Sequence, residues 1–349
     1  MKLHTLRGSA IVAVAVTAAV ALAACSSSTG TTSSSPSGSS TGASSGNLTI
    51  TFIPKNLGNP YFDTSDAGGK KAVGELGGKY SEVGPQTGTP DGQVQYINTA
   101  TQQHTGALVV SANDPKAIGS ALNEARAAGT KVVTFDSDTD PQYRDLYINQ
   151  ATAAGIAKVQ VDSITKQIGD TGEIAILSAG ANATNQNAWI ALMKTDLAAN
   201  HKNVKLVDVV YANDDDQMSF DKTAALLQSH PNLKGIISPT TVGIAAAARY
   251  LSTSDKKGKV VLTGLGTPNQ MRSFVKDGTV KEFALWNPAD LGYLAAYAAA
   301  ALVKGEITGK TGDKFKAGTL GEFTVGDGAT VLLGDPFTFN AANIDQFKF

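Results

Sequence analysis

Residues 131–150 read KVVTFDSDTDPQYRDLYINQ, and the fold turns on this stretch. Its apolar run, Val132-Val133-Thr134-Phe135, stops at Asp136-Ser137-Asp138. A short β-branched run between polar residues is the pattern of a strand buried on both faces of a parallel sheet. Ligands of open α/β sheets sit in the crevice beyond the carboxyl ends of the strands. Asp136 is therefore expected where a polar ligand would be gripped. Leu146-Tyr147-Ile148 forms a second short strand, ends at Asn149-Gln150, and gives way to helical spacing. The first half reads as one wall of a binding cleft, the second as a crossing into another lobe.

The same rhythm extends in both directions. Upstream, strands are expected at 48–53, 80–84 and 107–111, with helices from Asn59-Pro60, from about Asp91 to His104 and from Pro115 to Ala128. Asn59 suits an N-cap and Pro60 the first helical position. Downstream, a helix from about Ala151 to Gln167 is followed by strands at 173–178, 204–211, 235–238, 260–264 and 280–285. Helices are expected between them, and another after Trp286-Asn287-Pro288. Strand–helix alternation is the signature of doubly wound parallel sheets. The chain has 349 residues, more than one ordinary α/β core holds. The expected fold class is α/β, with two doubly wound Rossmann-like lobes joined by three hinge crossings near Asn149, Trp286-Asn287 and Val331. The first lobe is assigned residues 47–149 plus 288–330, and the second residues 150–287 plus 331–349.

The N-terminus carries the address. Lys2 and Arg7 precede an apolar stretch from Ala10 to Leu22, and Leu22-Ala23-Ala24-Cys25 follows. The stretch is too short to span a bilayer and fits a secretory signal. Its ending matches a bacterial lipoprotein signal, so residues 1–25 read as a signal peptide with Cys25 the lipidated residue. Cys25 is the single cysteine, which leaves no intrachain disulfide and no cysteine metal cluster. Residues 26–46 contain only Ser, Thr, Gly, Pro and Ala and read as a flexible linker, roughly 25 Å end to end. An extracytoplasmic location on the cell membrane, through the lipid anchor only, is the expectation. Net charge is −1 with no basic stripe, which argues against a nucleic-acid partner.

No catalytic constellation stands out. Beyond the leader the histidines are His104, His201 and His230, with no metal-ligand spacing between them. Gly264-Leu265-Gly266 lacks the third glycine of a dinucleotide loop. Asp214-Asp215-Asp216 reads as a solvated loop. A glycan-active enzyme would need two carboxylates flanking its substrate, and Asp136 with Asp138 is the one candidate pair. The chain reads as a binder, with no enzyme activity, cofactor or metal expected. The strand ends supply hydrogen-bonding groups at Lys55, Asn113, Asp136, Asp138, Asn185, Gln186, Thr240, Thr241 and Asn287, with rings at Phe62, Phe135, Trp189 and Trp286. Charged groups make strong hydrogen bonds to hydroxyls and ring faces cover the C–H side of a sugar. That mixture fits a neutral polyhydroxylated ligand.

The stretches Phe52-Ile53-Pro54-Lys55, Gly92-Gln93-Val94-Gln95, Thr134-Phe135-Asp136-Ser137-Asp138, Asn185-Gln186-Asn187-Ala188-Trp189 and Thr267-Pro268-Asn269 carry a resemblance. So do Tyr147-Ile148-Asn149-Gln150 and Gly278-Thr279-Val280-Lys281-Glu282-Phe283. The chain resembles the type I periplasmic binding proteins of bacterial ABC sugar importers, above all the branch of rhamnose- and autoinducer-2-binding receptors. The resemblance implies a monomer that captures a small sugar or polyol between its lobes and delivers it to ABC permease subunits. It also implies that ligand is held by the lysine matching Lys55, the aspartate matching Asp136, an Asp-Gln pair and a Pro-x-Ala segment. Gln186 and Pro239 match. Asn185 stands where the branch has the aspartate and Thr241 where it has the alanine, so a changed hydroxyl preference is expected. The site is assigned Lys55, Asn59, Phe62, Asn113, Asp136, Asp138, Asn185, Gln186, Trp189, Pro239, Thr241, Trp286 and Asn287.

Overall fold

The computed structural model describes residues 48–349. The expected signal segment, Cys25 and the Ser/Thr/Gly linker lie outside the described residues. The first lobe is built from β1 (Thr49–Ile53), α1 (Pro60–Glu75), β2 (Lys79–Glu82), α2 (Val94–Gln102), β3 (Ala107–Val110), α3 (Gly119–Ala127), β4 (Lys131–Phe135) and β5 (Leu146–Asn149). The second follows with α4 (Ala153–Ile168), β6 (Gly172–Ser178), α5 (Thr184–Asn200), β7 (Val204–Tyr211) and α6 (Asp216–Ser229). It continues through β8 (Leu233–Ser238), α7 (Thr241–Thr253), β9 (Val261–Gly264), α8 (Pro268–Lys276) and β10 (Glu282–Leu285). The chain then returns to the first lobe with α9 (Pro288–Lys304) and the hairpin β11 (Lys314–Lys316) and β12 (Glu322–Thr324). It ends in β13 (Thr330–Leu332) and β14 (Phe337–Asn340).

The first sheet has the order β13-β5-β4-β3-β1-β2, and every pairing in it is parallel. The second has the order β7-β6-β8-β9, also all parallel. A bridge from Leu265 to Ala284 continues it into the antiparallel pair β10–β14. Strands β3 and β4 are buried on both faces, which explains why they read as continuous apolar runs rather than alternating ones. Strand β13 pairs with β5, so the division expected at residue 331 falls inside a strand of the first sheet and the chain crosses after it.

Two helices begin later than the spacing predicts, at Val94 and Gly119. At the second, the Asp114 carboxylate accepts from the backbone of Lys116 and Ala117, at 2.8 and 2.9 Å, and holds a turn ahead of the helix. Helices α1 and α9 pack together closely. A Cβ at Gly68 would overlap the Ala289 carbonyl, and one at Gly292 the Ser65 carbonyl. Alanines at 295, 296 and 298–301 are buried along α9, where larger side chains would push the helix off the sheet. Among the described residues no helix is long and apolar enough to cross a membrane.

Candidate binding site

The carboxyl ends of both sheets face one cavity of about 40 Å³. Lys55 reaches it from the segment after β1, Tyr61 and Phe62 from the first turn of α1, and Asp136 from the end of β4. Asn59 accepts from the Tyr61 backbone at 3.1 Å and thereby fixes the start of α1, as the Asn-Pro pair predicts. Opposite stand Asn185, Gln186 and Trp189 on α5, Asp214 after β7, and Pro239, Thr240 and Thr241 after β8. Leu265, Leu285 and Trp286 close the remaining side.

Asp136 is the centre of this arrangement. Its φ is 60°, the left-handed region that non-glycine residues seldom occupy, as befits a residue held by its surroundings. Tyr61 Oη donates to its Oδ1 at 3.0 Å and Ser111 Oγ to its Oδ2 at 2.8 Å. Lys55 Nζ lies 3.8 Å from Oδ2, with both side chains buried. Tyr147 Oη, from β5, donates to the Asp136 carbonyl at 3.0 Å. Burial, and next the negative charge of Asp136, push the Tyr61 phenol well above its ordinary range, so it stays a donor. Trp286 Nε1 donates to Tyr61 Oη at 2.9 Å and extends the chain to the second crossing.

Asn185 carries hydrogen bonds between the lobes across the cavity. Asn185 accepts from Lys55 Nζ at 3.3 Å and donates to the Asp136 carbonyl at 3.4 Å. A carboxylate at that position could accept from Lys55 but could not donate to the carbonyl. Asn185 thus bridges both members of the ion pair, and the lobes stand closed.

Of the thirteen residues assigned from sequence, ten line the cavity; Asn113, Asp138 and Asn287 do not. Asp138 turns away to Arg144, at 2.7 Å to Oδ1 and 2.8 Å to Oδ2, and Arg144 continues to the carbonyls of Gly328 and Ala329. It fastens the end of β4 to the loop before β13 and cannot pair with Asp136 around a substrate. Asn113 Nδ2 donates to the Lys55 carbonyl at 2.8 Å, which makes it a support for that segment. Asn287 caps α9 through the Ala289 amide, at 3.0 Å. Gln93 bridges the strand ends, donating to the Ser111 and Pro54 carbonyls and accepting from the Asn113 amide.

The expected solvated triplet splits three ways. Asp215 caps α6 through Met218, Asp216 pairs with Arg249, and Asp214 lines the cavity and accepts from Thr240 Oγ1. Asn213 and Asp214 both have φ of 53°, a conformation that turns the Asp214 side chain back toward the strand ends. Burial raises the Asp214 pKa, against the lowering charge of Lys55 and the Thr240 hydrogen bond. Sequence reasoning misses Tyr61 and Asp214. Tyr61 follows a recognisable cap, but nothing in the pattern marks which way its ring points.

Residues 50–307 match the family model of the periplasmic binding protein domain. A sugar ABC transporter structure from Actinomyces odontolyticus is 57% identical, with a TM-score of 0.70, covering 86% of this chain and 98% of its own. An ABC transporter solute-binding protein from Clostridium phytofermentas with bound L-rhamnose is 37% identical, with a TM-score of 0.84 and the same coverage. LsrB from Clostridium saccharobutylicum, in complex with AI-2, is 26% identical with a TM-score of 0.81, covering 86% of this chain and 100% of its own.

Proposed function

The chain belongs to the periplasmic binding protein family, and from that membership we propose that it captures a small neutral monosaccharide or sugar alcohol for an ABC importer. The observation that carries this reading is the buried Lys55–Asp136 pair, clasped by Asn185 inside a cavity with walls from both lobes. An ion pair presents one strong donor and one strong acceptor to hydroxyls at little net charge. Trp189, Trp286, Phe62, Leu265 and Leu285 offer apolar surface to C–H groups or a methyl. Asp214 adds a second carboxylate, so an acidic sugar would meet repulsion. A cavity walled by both lobes in this way favours a compact occupant.

Closure is the proposed mechanism. A ligand that touches both walls stabilises the closed state by its differential affinity for it. The 57%-identical structure superposes less well than the 37%-identical one with bound L-rhamnose. A difference in lobe angle between otherwise similar chains would give that ordering, which fits the proposed hinge. The anchor is proposed at Cys25, with the binding domain delivering ligand to the permease as a monomer.

A second reading, an autoinducer-2 receptor, is favoured by the AI-2 complex among the similar structures. Asn185 in place of a carboxylate weighs against it. A thermal-shift screen of the protein against deoxyhexoses, pentoses, hexoses, C4–C6 polyols, uronates and autoinducer-2 tests both. Ligand at 100 times its dissociation constant stabilises by about 2.7 kcal/mol. A hit among neutral sugars or polyols with no response to uronates is expected. A response to autoinducer-2 alone would establish the second reading, and silence across the panel would overturn both.

A further inference from the structure

Asp136 owes its place in the cleft to a strained turn. The Ser137 amide donates to the Phe135 carbonyl at 2.6 Å and closes a three-residue turn with Asp136 at its centre, at φ of 60°. A three-residue turn with positive φ at its centre is the rare, strained form, and it persists only where the surroundings over-determine it. Tyr61 and Ser111 hold the Asp136 carboxylate, not its backbone. The backbone is held from outside the cleft. After the turn, the Ser137 carbonyl accepts from the Ala112 amide at 2.9 Å, and the Asp138 carboxylate is gripped by Arg144 and by the Thr139 amide. Relaxing the turn would therefore mean rotating the Asp136–Ser137 peptide between fixed ends, and that rotation swings the Asp136 carbonyl.

That carbonyl is the atom Tyr147 binds, with its hydroxyl donating at 3.0 Å. Asn149 Oδ1 lies 3.2 Å from the same hydroxyl, but one phenol proton serves one acceptor at a time, and the shorter contact is to Asp136. Burial, and then the charges of Asp138 and Asp136, push the Tyr147 phenol well above its ordinary range, so it remains a donor. The Arg144 guanidinium lies 5.6 Å from the centre of the Tyr147 ring and fixes its direction. Among the described residues the one other donor to the Asp136 carbonyl is Asn185, at 3.4 Å from the second lobe, a contact that depends on closure. Tyr147 itself does not line the cleft. We infer that Tyr147 is a positioning residue: through the Asp136 carbonyl it locks the strained turn and so aims the Asp136 carboxylate into the cleft. That this carboxylate then grips a sugar rests on the proposed function, whereas the positioning does not.

A spectroscopic reporter tests this without any sugar. The chain has two tryptophans, and Trp286 Nε1 donates to Tyr61 Oη, which itself donates to Asp136. A phenol that donates to a carboxylate is the stronger acceptor, so the Trp286 indole proton senses where that carboxylate points. In proton–nitrogen correlation spectra of the protein without added ligand, assigned with Trp189→Phe, this resonance should move upfield in Asp136→Ala. Tyr147→Phe keeps the ring and removes only the hydroxyl, and should move it in the same direction by a comparable amount. In the Asp136→Ala background Tyr147→Phe should add no further movement. Ile174→Val, a core truncation in the second lobe, should lower the melting temperature and leave the resonance in place. A resonance left in place by Tyr147→Phe, whatever the melting temperature, would make Tyr147 merely structural and overturn the inference. So would equal movement in the Asp136→Ala background, because the effect would bypass Asp136, or equal movement in Ile174→Val, because it would follow stability alone.

Discussion

The two walls of the cleft are built on opposite principles. On the first-lobe wall the polar groups are engaged with one another: Asp136 with Tyr61, Ser111 and Lys55, and the Lys55 segment with Asn113. On the second, Gln186 Oε1 is buried without a partner, and Trp189, Pro239 and Thr241 present surface rather than a network. Under the proposed function, the first wall is organised before ligand arrives and the second is completed by it. A site divided this way can stay rigid where the ligand is recognised and still gain contacts on closure, which is what a ligand-driven hinge needs.

The largest effect should come from the first wall. Asp136→Ala removes a charged acceptor whose hydrogen bond is worth about 1.5–3 kcal/mol, so sugar affinity measured by calorimetry should fall about a hundredfold. It also leaves the Lys55 ammonium buried without its counter-ion, which costs about 3–5 kcal/mol of stability. Both losses should appear in one variant. Undiminished thermal stability together with lost binding would break the picture of a wall whose wiring also holds the lobe.

Gln186→Leu sharpens the contrast from the other side. Affinity should fall about tenfold, the worth of one neutral hydrogen bond, while thermal stability stays level or rises because an unpartnered buried amide oxygen is gone. A variant as destabilised as Asp136→Ala would show that the second wall is prewired too.

The division between walls also explains what can be read from sequence. Strand ends are legible because an apolar run that stops at a polar residue fixes both a strand and the position beyond it, and this locates Lys55, Asp136, Asn185 and Gln186 in the cleft. It does not separate Asp136 from Asp138, two residues apart on the same loop. That outcome is decided by Arg144, eight residues past Asp136 and fixed through carbonyls of residues 328 and 329. The acidic triplet at 214–216 misleads for a related reason: a left-handed φ at one aspartate turns it inward while its neighbours face water. Side-chain direction in loops is set by tertiary partners, and composition carries no record of them. The parallel sheets themselves are legible almost to the residue at 204–211, where β7 has the expected bounds.

Asp214 is the exception on the second wall, a carboxylate placed to act on charge rather than on shape. Asp214→Asn should change affinity for a neutral sugar only a few-fold. It should weaken the discrimination against the matching uronate about tenfold, the size of a single screened charge interaction of roughly 1–2 kcal/mol. Parallel titrations with both sugars measure the ratio. A ratio unchanged by the substitution would remove Asp214 from specificity and leave the walls as the sole source of it.

The smallest effect on binding belongs to a carboxylate in the first lobe that neither wall uses. Asp66, on α1, is buried, with Ser65 Oγ donating to one oxygen and the other oxygen unpartnered. Burial first, and then the charge of Glu82, raise its pKa well above the ordinary carboxylate range; Asp63 adds to the rise and Tyr80 lies in the same group. Asp136 has the Lys55 Nζ 3.8 Å away, and among the described residues no basic group stands in that relation to Asp66. A carboxyl whose pKa is raised by folding contributes stability that is complete below its unfolded value of about 3.9, and that is lost as pH rises through the folded value. Asp66→Asn keeps the neutral, hydrogen-bonding form at every pH, so the variant's melting temperature should decline less than the wild type's as pH is raised from about 4 to about 9. Sugar affinity at neutral pH should be unchanged. A wild type whose stability instead rises as pH is raised from about 1 to about 5 and then stays level, with the rise reduced by Asp66→Asn, would mean that Asp66 is ionised and paired in the folded protein. The lobe would then hold two buried carboxylates stabilised in the same way, and the distinction between the wired wall and the scaffold behind it would disappear.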